Sequence, residues 1–228
     1  MCKPPEDDVA KAIGKLHHAK VRLLQNLNWN MQFEEAWQAF NTAGDVRRTV
    51  AASPATNAAW VYEKAILDSQ VVMITRCFDK LRGNALDSER MTFPVCLALL
   101  QSPGVLERLG DEAVAWNNGK GEANREAVNA HAARFIVGLT NLQAERDPDR
   151  LKALRDHRDE NIAHELHRLE DRPKPQYRYL TEVGALARNL LEHLAMAAEG
   201  EVIFFRRGEA RRSAEYLWAA VADAARRG

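Results

Sequence analysis

Apolar residues recur along this chain at intervals of three and four, which is the spacing of one face of a helix, and stretches of alternating β-branched residues are nearly absent. The pattern predicts a first helix over about Glu6–Ala43, with a break near Asn26–Asn30 as one reading. Pro54 marks 51–57 as a connection. A very apolar helix follows over Asn57–Leu81, carrying Trp60, Val61, Ile66, Leu67, Val71, Ile74, Phe78 and Leu81. Apolar residues reach most of the way round it, which predicts a place at the centre of a bundle. Shorter helices are expected over Pro94–Leu100 and Gly104–Trp116, then a loop at Asn117–Gly121. A long helix over Glu122–Glu145 carries Val128, Ala132, Phe135, Ile136, Leu139 and Leu142 at core spacing.

The next helix has a start signal in sequence: Asp147 as N-cap, Pro148 at the first helical position and Asp149 in the first turn. It ends before Arg172-Pro173-Lys174-Pro175, and two more helices are expected at Tyr179–Ala198 and Glu209–Ala225. The single strand-like stretch, EVIFF at 201–205, is too isolated to imply a sheet. The expectation is one all-α helical-bundle domain of about six to eight helices over 1–228, with 1–50 an N-terminal helical extension and 201–228 holding a C-terminal helix.

Composition narrows the partners more than the fold. The formal net charge of the 228 residues is zero, so no global field marks a nucleic-acid or membrane binder, and polyanion binding would need a local patch. Cys2, Cys77 and Cys96 are odd in number and far apart, which indicates neither a disulfide framework nor a thiolate metal site. MCKPPEDD lacks the apolar run of a signal peptide, and no segment approaches the ~20 apolar residues of a membrane span. The expectation is a soluble, cytoplasmic protein without a membrane partner.

RDENIAH, 158–164, is the stretch with chemistry in it. On a helix wound at about 100° per residue, Leu151, Leu154, Ile162 and Leu169 share one stripe, and Arg158 falls inside it. His157, Glu160 and His164 gather on a second face beside Ala153. Arg158 and His164 are then about 120° apart and ~9 Å along the axis, too far to touch one small group from a straight helix. Arg158 can be read as a stem covering apolar surface with its head on a carboxylate such as Asp79. His164 can be read as a solvated imidazole. A functional reading needs both at one site, through a local helix distortion or through two copies of the helix paired across a dimer two-fold.

Arg-Asp-x4-His at a helix end resembles the signature of HEPN domains. The order of features is similar to the abortive-infection U-like branch: a long apolar helix ending in RCFDK, with Arg76 and Asp79, then a variable middle and the Arg…His helix. The resemblance spans about 55–195. It implies a metal-independent endoribonuclease of a toxin–antitoxin or phage-defence system, with no cofactor, RNA as partner, DNA spared, and a homodimer. In that reading Arg158, His164 and Asp159 are catalytic, and Arg76, Asp79, His157 and Glu160 support them. A nucleotidyltransferase-type antitoxin is the partner protein the resemblance suggests. A degenerate, non-catalytic scaffold or RNA-binding domain is the alternative.

Three further arginine–histidine pairs have similar spacing: Arg125/His131, Arg150/His157 and Arg188/His193. The last shares a polar second residue, Asn189, and is the main decoy. His157, Glu160, His164 and His167 follow one helix edge, but a di-metal site would need an ExxH partner that the sequence lacks, so no metal is expected. The C-terminal arginines 206, 207, 211, 212, 226 and 227 alternate with acids and read as a solvated face. His17-His18 reads as surface, and the scattered tryptophans as core or helix contacts.

Overall fold

A computed structural model of the chain describes residues 6–116, 119–145, 149–162, 177–205 and 207–227. Asn117, Asn118, Asp147, Pro148, Ala163, His164, His167, Leu169, Arg206, Cys2 and the 172–175 stop lie outside the described residues. The nine α-helices among those described are α1 Glu6–Thr42, α2 Gly44–Ala51, α3 Thr56–Cys77, α4 Phe93–Leu100, α5 Val105–Val114, α6 Glu122–Ala144, α7 Arg150–His157, α8 Tyr177–Glu199 and α9 Glu209–Arg227. A π-helical turn, Arg158–Ile162, continues α7. The described residues contain no strand, and the fold class is all-α, as the periodicity predicts.

α1 runs unbroken through Asn26–Asn30, because Leu23, Leu27 and Met31 keep an apolar residue on the buried face at every turn. α2, left unassigned by the sequence pattern, buries only Val50.

α3 is not the all-round central helix. Trp60 and Val61 are 64% and 58% exposed, and the burial concentrates in its C-terminal half at Ile66, Gln70, Val71, Ile74, Thr75 and Cys77. Its neighbours cover one side of the N-terminal half only. The most enclosed of the long described helices is α8, which buries Leu180, Val183, Gly184, Ala187, Arg188, Leu190, Leu191 and Leu194 among others, and packs on α6, α1, α3 and α7. Small residues let it in: a Cβ at Gly138 of α6 would stand 3.1 Å from the Leu190 side chain.

The main core joins α1, the second half of α3, and α4 to α8, around Leu16, Leu23, Leu27, Ile74, Phe78, Phe93, Phe135, Leu139 and Leu154. A smaller cluster, with Phe40, Val50, Ala59 and Trp218, closes the far ends of α1 and α3 against α2 and α9. The 201–205 stretch has no regular structure, and packs Ile203 and Phe205 on the main core. Gly200 precedes it at φ +67°, where any Cβ would drive into the Trp116 ring. Lys20, buried on α1, holds this corner through ion pairs with Glu199 and Glu201. His17 joins it, its Nε2 3.3 Å from the Ala198 carbonyl, so only His18 of that pair is fully surface.

Candidate functional site

α7 begins one residue pair later than the sequence signal placed it. Asp149 is the N-cap, its carboxylate accepting the Lys152 backbone N–H at 2.8 Å. Leu151 and Leu154 then point into the core. The next residue on the same stripe is Arg158, and it meets the place where α3 stops.

There Arg158 finds two partners on one segment. Its Nη1 donates to Asp79 Oδ1 at 2.8 Å and to Thr75 Oγ1 at 3.2 Å. The Thr75 hydroxyl donates its own proton to the Val71 carbonyl at 2.7 Å, which leaves its lone pair facing the guanidinium. A third bond runs from Arg158 Nε to the adjacent Asp159 Oδ1 at 2.7 Å. Burial works against the Arg158 charge, but the hydrogen bonds to Asp159 and Asp79 outweigh it and raise the pKa. The head is held by carboxylates, Asp79 among them, as the simple reading of the stripe expects.

Arg155, one turn earlier, donates Nη2 to the carbonyl of Phe78 at the end of α3. Burial pushes its pKa down, and Asp79 opposes that.

From Arg158 the backbone leaves α geometry for the π turn, where each N–H reaches five residues back. Such turns are uncommon and concentrate at functional sites. Ile162, at its end, packs on the main core. A local helix distortion thus exists in the chain, and it begins at Arg158 itself. His164 lies outside the described residues.

The supporting residues separate. Asp79 is at the centre of the arginine cluster, whereas Arg76 is exposed and does not pair with it. Arg76 lies on the outer side of α3, whose inner side carries Thr75 and Ile74. His157 faces α3 rather than a free surface: its Nε2 stands 3.6 Å from Asp68 Oδ1, a carboxylate that also holds Lys64 at 2.9 Å. Asp159 is exposed, and Glu160 sits in the π turn, partly buried.

The decoy pair divides between two neighbours. Arg188 is buried against α1, with Nη1 3.4 Å from Glu34 Oε2, and burial lowers its pKa. His193 turns toward α6, its Nδ1 3.0 Å from His131 Nδ1. Two of the arginine–histidine hits therefore meet through their histidines.

The model of the HEPN family AbiU2 matches residues 13–204, most of the chain and all of the site just described. The chain belongs to that family. No curated protein and no solved structure matches it. In this AbiU2-family chain the match reaches well beyond the 55–195 stretch on which the sequence resemblance rests, taking in most of α1 and residues 201–204.

Several site features of this HEPN chain were not read from sequence. Thr75, in the last turn of α3, stands four residues before Asp79 just past its end, and that spacing could have signalled it. The Asp68–His157 and His131–His193 contacts join residues far apart in the chain, and no local pattern announces them. Trp29 and Trp60 are exposed, unlike Trp218, which is buried, and Trp37, which stacks on Tyr177 at 3.7 Å between ring centroids. Arg211 and Arg226 pair with Glu215 and Asp223 on an exposed face, as the alternation of charges in α9 implies. No helix among the described residues is long and apolar enough to cross a membrane.

Proposed function

We propose that this protein is a metal-independent endoribonuclease acting in phage defence or as the toxin of a toxin–antitoxin pair, and that Arg158 and His164 do the chemistry. The observation that carries the reading is the setting of Arg158. It is an arginine on an apolar stripe, gripped by Asp79 and Thr75 at the start of a π turn, in a chain of a HEPN family.

The chemistry follows from the residue types. A neutral imidazole at His164 accepts the proton of a ribose 2′-hydroxyl, and that oxygen attacks the adjacent phosphorus. The guanidinium of Arg158 holds the phosphate and stabilises the charge that accumulates on its oxygens. The 5′-oxygen leaves with the proton that His164 took up, giving a 2′,3′-cyclic phosphate and a 5′-hydroxyl. DNA has no 2′-hydroxyl and is spared.

Asp79 and Asp159 have different parts in this scheme. Asp79 fixes Nη1 from below. Asp159, which is exposed, occupies the Nε edge and gives it up when a phosphate arrives, since a phosphate can take both N–H groups of one guanidinium edge. Two copies of the chain pair so that one copy's arginine faces the other's histidine. A nucleotidyltransferase-type protein is the antitoxin we expect.

The test is incubation of the purified protein with total RNA and with tRNA, with and without EDTA. Cleavage that survives EDTA, is abolished by Arg158→Ala and by His164→Ala, and is not rescued by Arg158→Lys supports the reading. Cleavage only on addition of metal would overturn it. One observation favours a second reading: Arg158 already has two carboxylates, which suits a purely structural role in a helical scaffold. RNA left intact under every condition would overturn the ribonuclease reading and leave the non-catalytic scaffold or RNA-binding domain.

A further inference from the structure

Three successive residues at the end of α3 are each gripped by a different arginine. Arg155 bonds the Phe78 carbonyl, Arg158 bonds the Asp79 side chain, and Arg90 reaches the Lys80 carbonyl at 3.5 Å. The far end of the α3–α4 loop returns to the same point, where Thr92 Oγ1 donates to the Asp79 carbonyl at 3.0 Å. Lys15 of α1 ties down the middle of the loop through the carbonyls of Leu86 and Ser88. The loop therefore presents its side chains from a fixed frame.

Arg76, Lys80, Arg82 and Arg90 are all exposed, and none forms an ion pair with a described residue. Some exposed arginines elsewhere, Arg48, Arg108, Arg211 and Arg226, each pair with a carboxylate one turn away, while others such as Arg22 and Arg134 form no ion pair with a described residue. What marks the loop is four such cations on one short, fixed segment. Asp87 and Glu89 share the loop and are exposed, but they leave a surplus of cations beside Arg158. In a chain of zero net charge, this surplus is local and adjoins the arginine assigned to the scissile phosphate.

We infer that the end of α3 and the α3–α4 loop form the path for the phosphate backbone of single-stranded RNA, with Lys80, Arg82 and Arg90 contacting phosphates next to the one at Arg158. The inference rests on the ribonuclease reading for the role of Arg158, but it concerns binding and can be measured without turnover. Backbone contacts of this kind position a strand without reading its bases.

The experiment measures anisotropy of a labelled single-stranded RNA oligonucleotide on the His164→Ala protein, between about 50 and 200 mM salt, as order-of-magnitude bounds for counterion release. Lys80→Ala/Arg82→Ala/Arg90→Ala in that background should weaken binding about tenfold or more. It should also flatten the slope of log affinity against log salt by about 2, since each single-strand phosphate contact contributes roughly 0.7. Lys80→Ala/Arg82→Ala, which removes no hydrogen bond given above, should show the same effect at about two thirds of that slope change. Arg211→Ala/Arg226→Ala should leave affinity and slope unchanged. Equal loss in that control, an unaltered slope in the triple variant, or no RNA binding by the parent would overturn the path. If the parent binds RNA with the expected slopes and yet the wild-type protein cuts nothing, the ribonuclease reading fails while the binding path stands.

Discussion

The Nη1 of Arg158 lies 2.8 Å from Oδ1 of Asp79, across the contact between the end of α7 and the end of α3. Their side chains are 21% and 29% exposed, so water replaces neither partner well. That separates Asp79 from Asp159, the other carboxylate on the same guanidinium, which is 55% exposed.

Asp79→Ala should therefore lower stability by about 2 kcal/mol, the usual worth of a hydrogen bond to a charged group. For a chain of this size that is ~4–8 °C in Tm. Asp159→Ala should cost well under half as much, because a solvated ion pair contributes little. Thermal unfolding of both variants side by side checks the contrast, and equal, small losses would mean that the Asp79 pair is solvated too.

His131 and His193 give a pH dependence of known sign. Burial lowers both pKa values. Arg134 adds to the shift at His131, and His131 and Arg134 add to it at His193. A depressed histidine pKa means that the folded state binds its proton less readily than the unfolded chain. The associated stability is fully present above the unfolded value of about 6.5 and is lost as pH falls through the folded values. The geometry gives the same answer: with Nδ1 atoms 3.0 Å apart, one must donate and the other accept, and a second proton leaves two donors facing. Tm should drop as pH is lowered from 7.5 to 5, a window set about that reference value. His131→Asn/His193→Asn should flatten the drop. A double variant with the parent's full pH slope would assign it to other groups.

Much of this was legible in the chain. The 3.6-residue period gave the all-α class, the extents of α4, α5, α6, α8 and α9 to within a few residues, and five of the six core positions named on α6. Arg158 stood out because a permanent charge on an apolar stripe needs a partner, and Asp79 was a short enough side chain at the right helix end to be that partner. What failed was most of what is decided between helices. Trp60 and Val61 are as apolar as Ile66 and Ile74, and only the placement of α1, α8 and α9 leaves the first two in solvent. The π turn has no composition signal, since RDENI suits an α-helix as well. Nor could spacing show that Arg188 and His193, five residues apart, would turn to different helices.

Arg188 and Glu34 form a pair with side chains 10% and 14% exposed, away from Arg158. Removing one partner strands a buried charge, so Arg188→Ala should destabilise by about 3–5 kcal/mol. Arg188→Met/Glu34→Met should recover a large part of that loss, because neither charge then needs a partner. Chemical denaturation of the single and double variants measures the coupling. RNA cleavage per folded molecule should stay at the parent level in the double variant. A selective loss of cleavage there would move the active arginine from α7 to α8.

The geometry of the site as a pair of chains yields a quantitative test. On regular α geometry Arg158 and His164 would diverge by about 120° and ~9 Å. The π turn alters the winding from Arg158 to Ile162, the last described residue before the histidine. If the two act across a two-fold axis, Arg158→Ala and His164→Ala chains are each inactive alone but complement when mixed. Random exchange makes half of the dimers mixed, and each mixed dimer holds one intact site of two, so activity should return to about a quarter of the parent's. Size-exclusion chromatography with light scattering should show a dimer at micromolar concentration, and unfolding and refolding the mixture ensures exchange. If the π turn instead brings both residues together within one chain, every mixed dimer lacks one group at each site, and mixing restores nothing. A monomer by light scattering, with and without RNA, would rule out the shared site even before activity is measured.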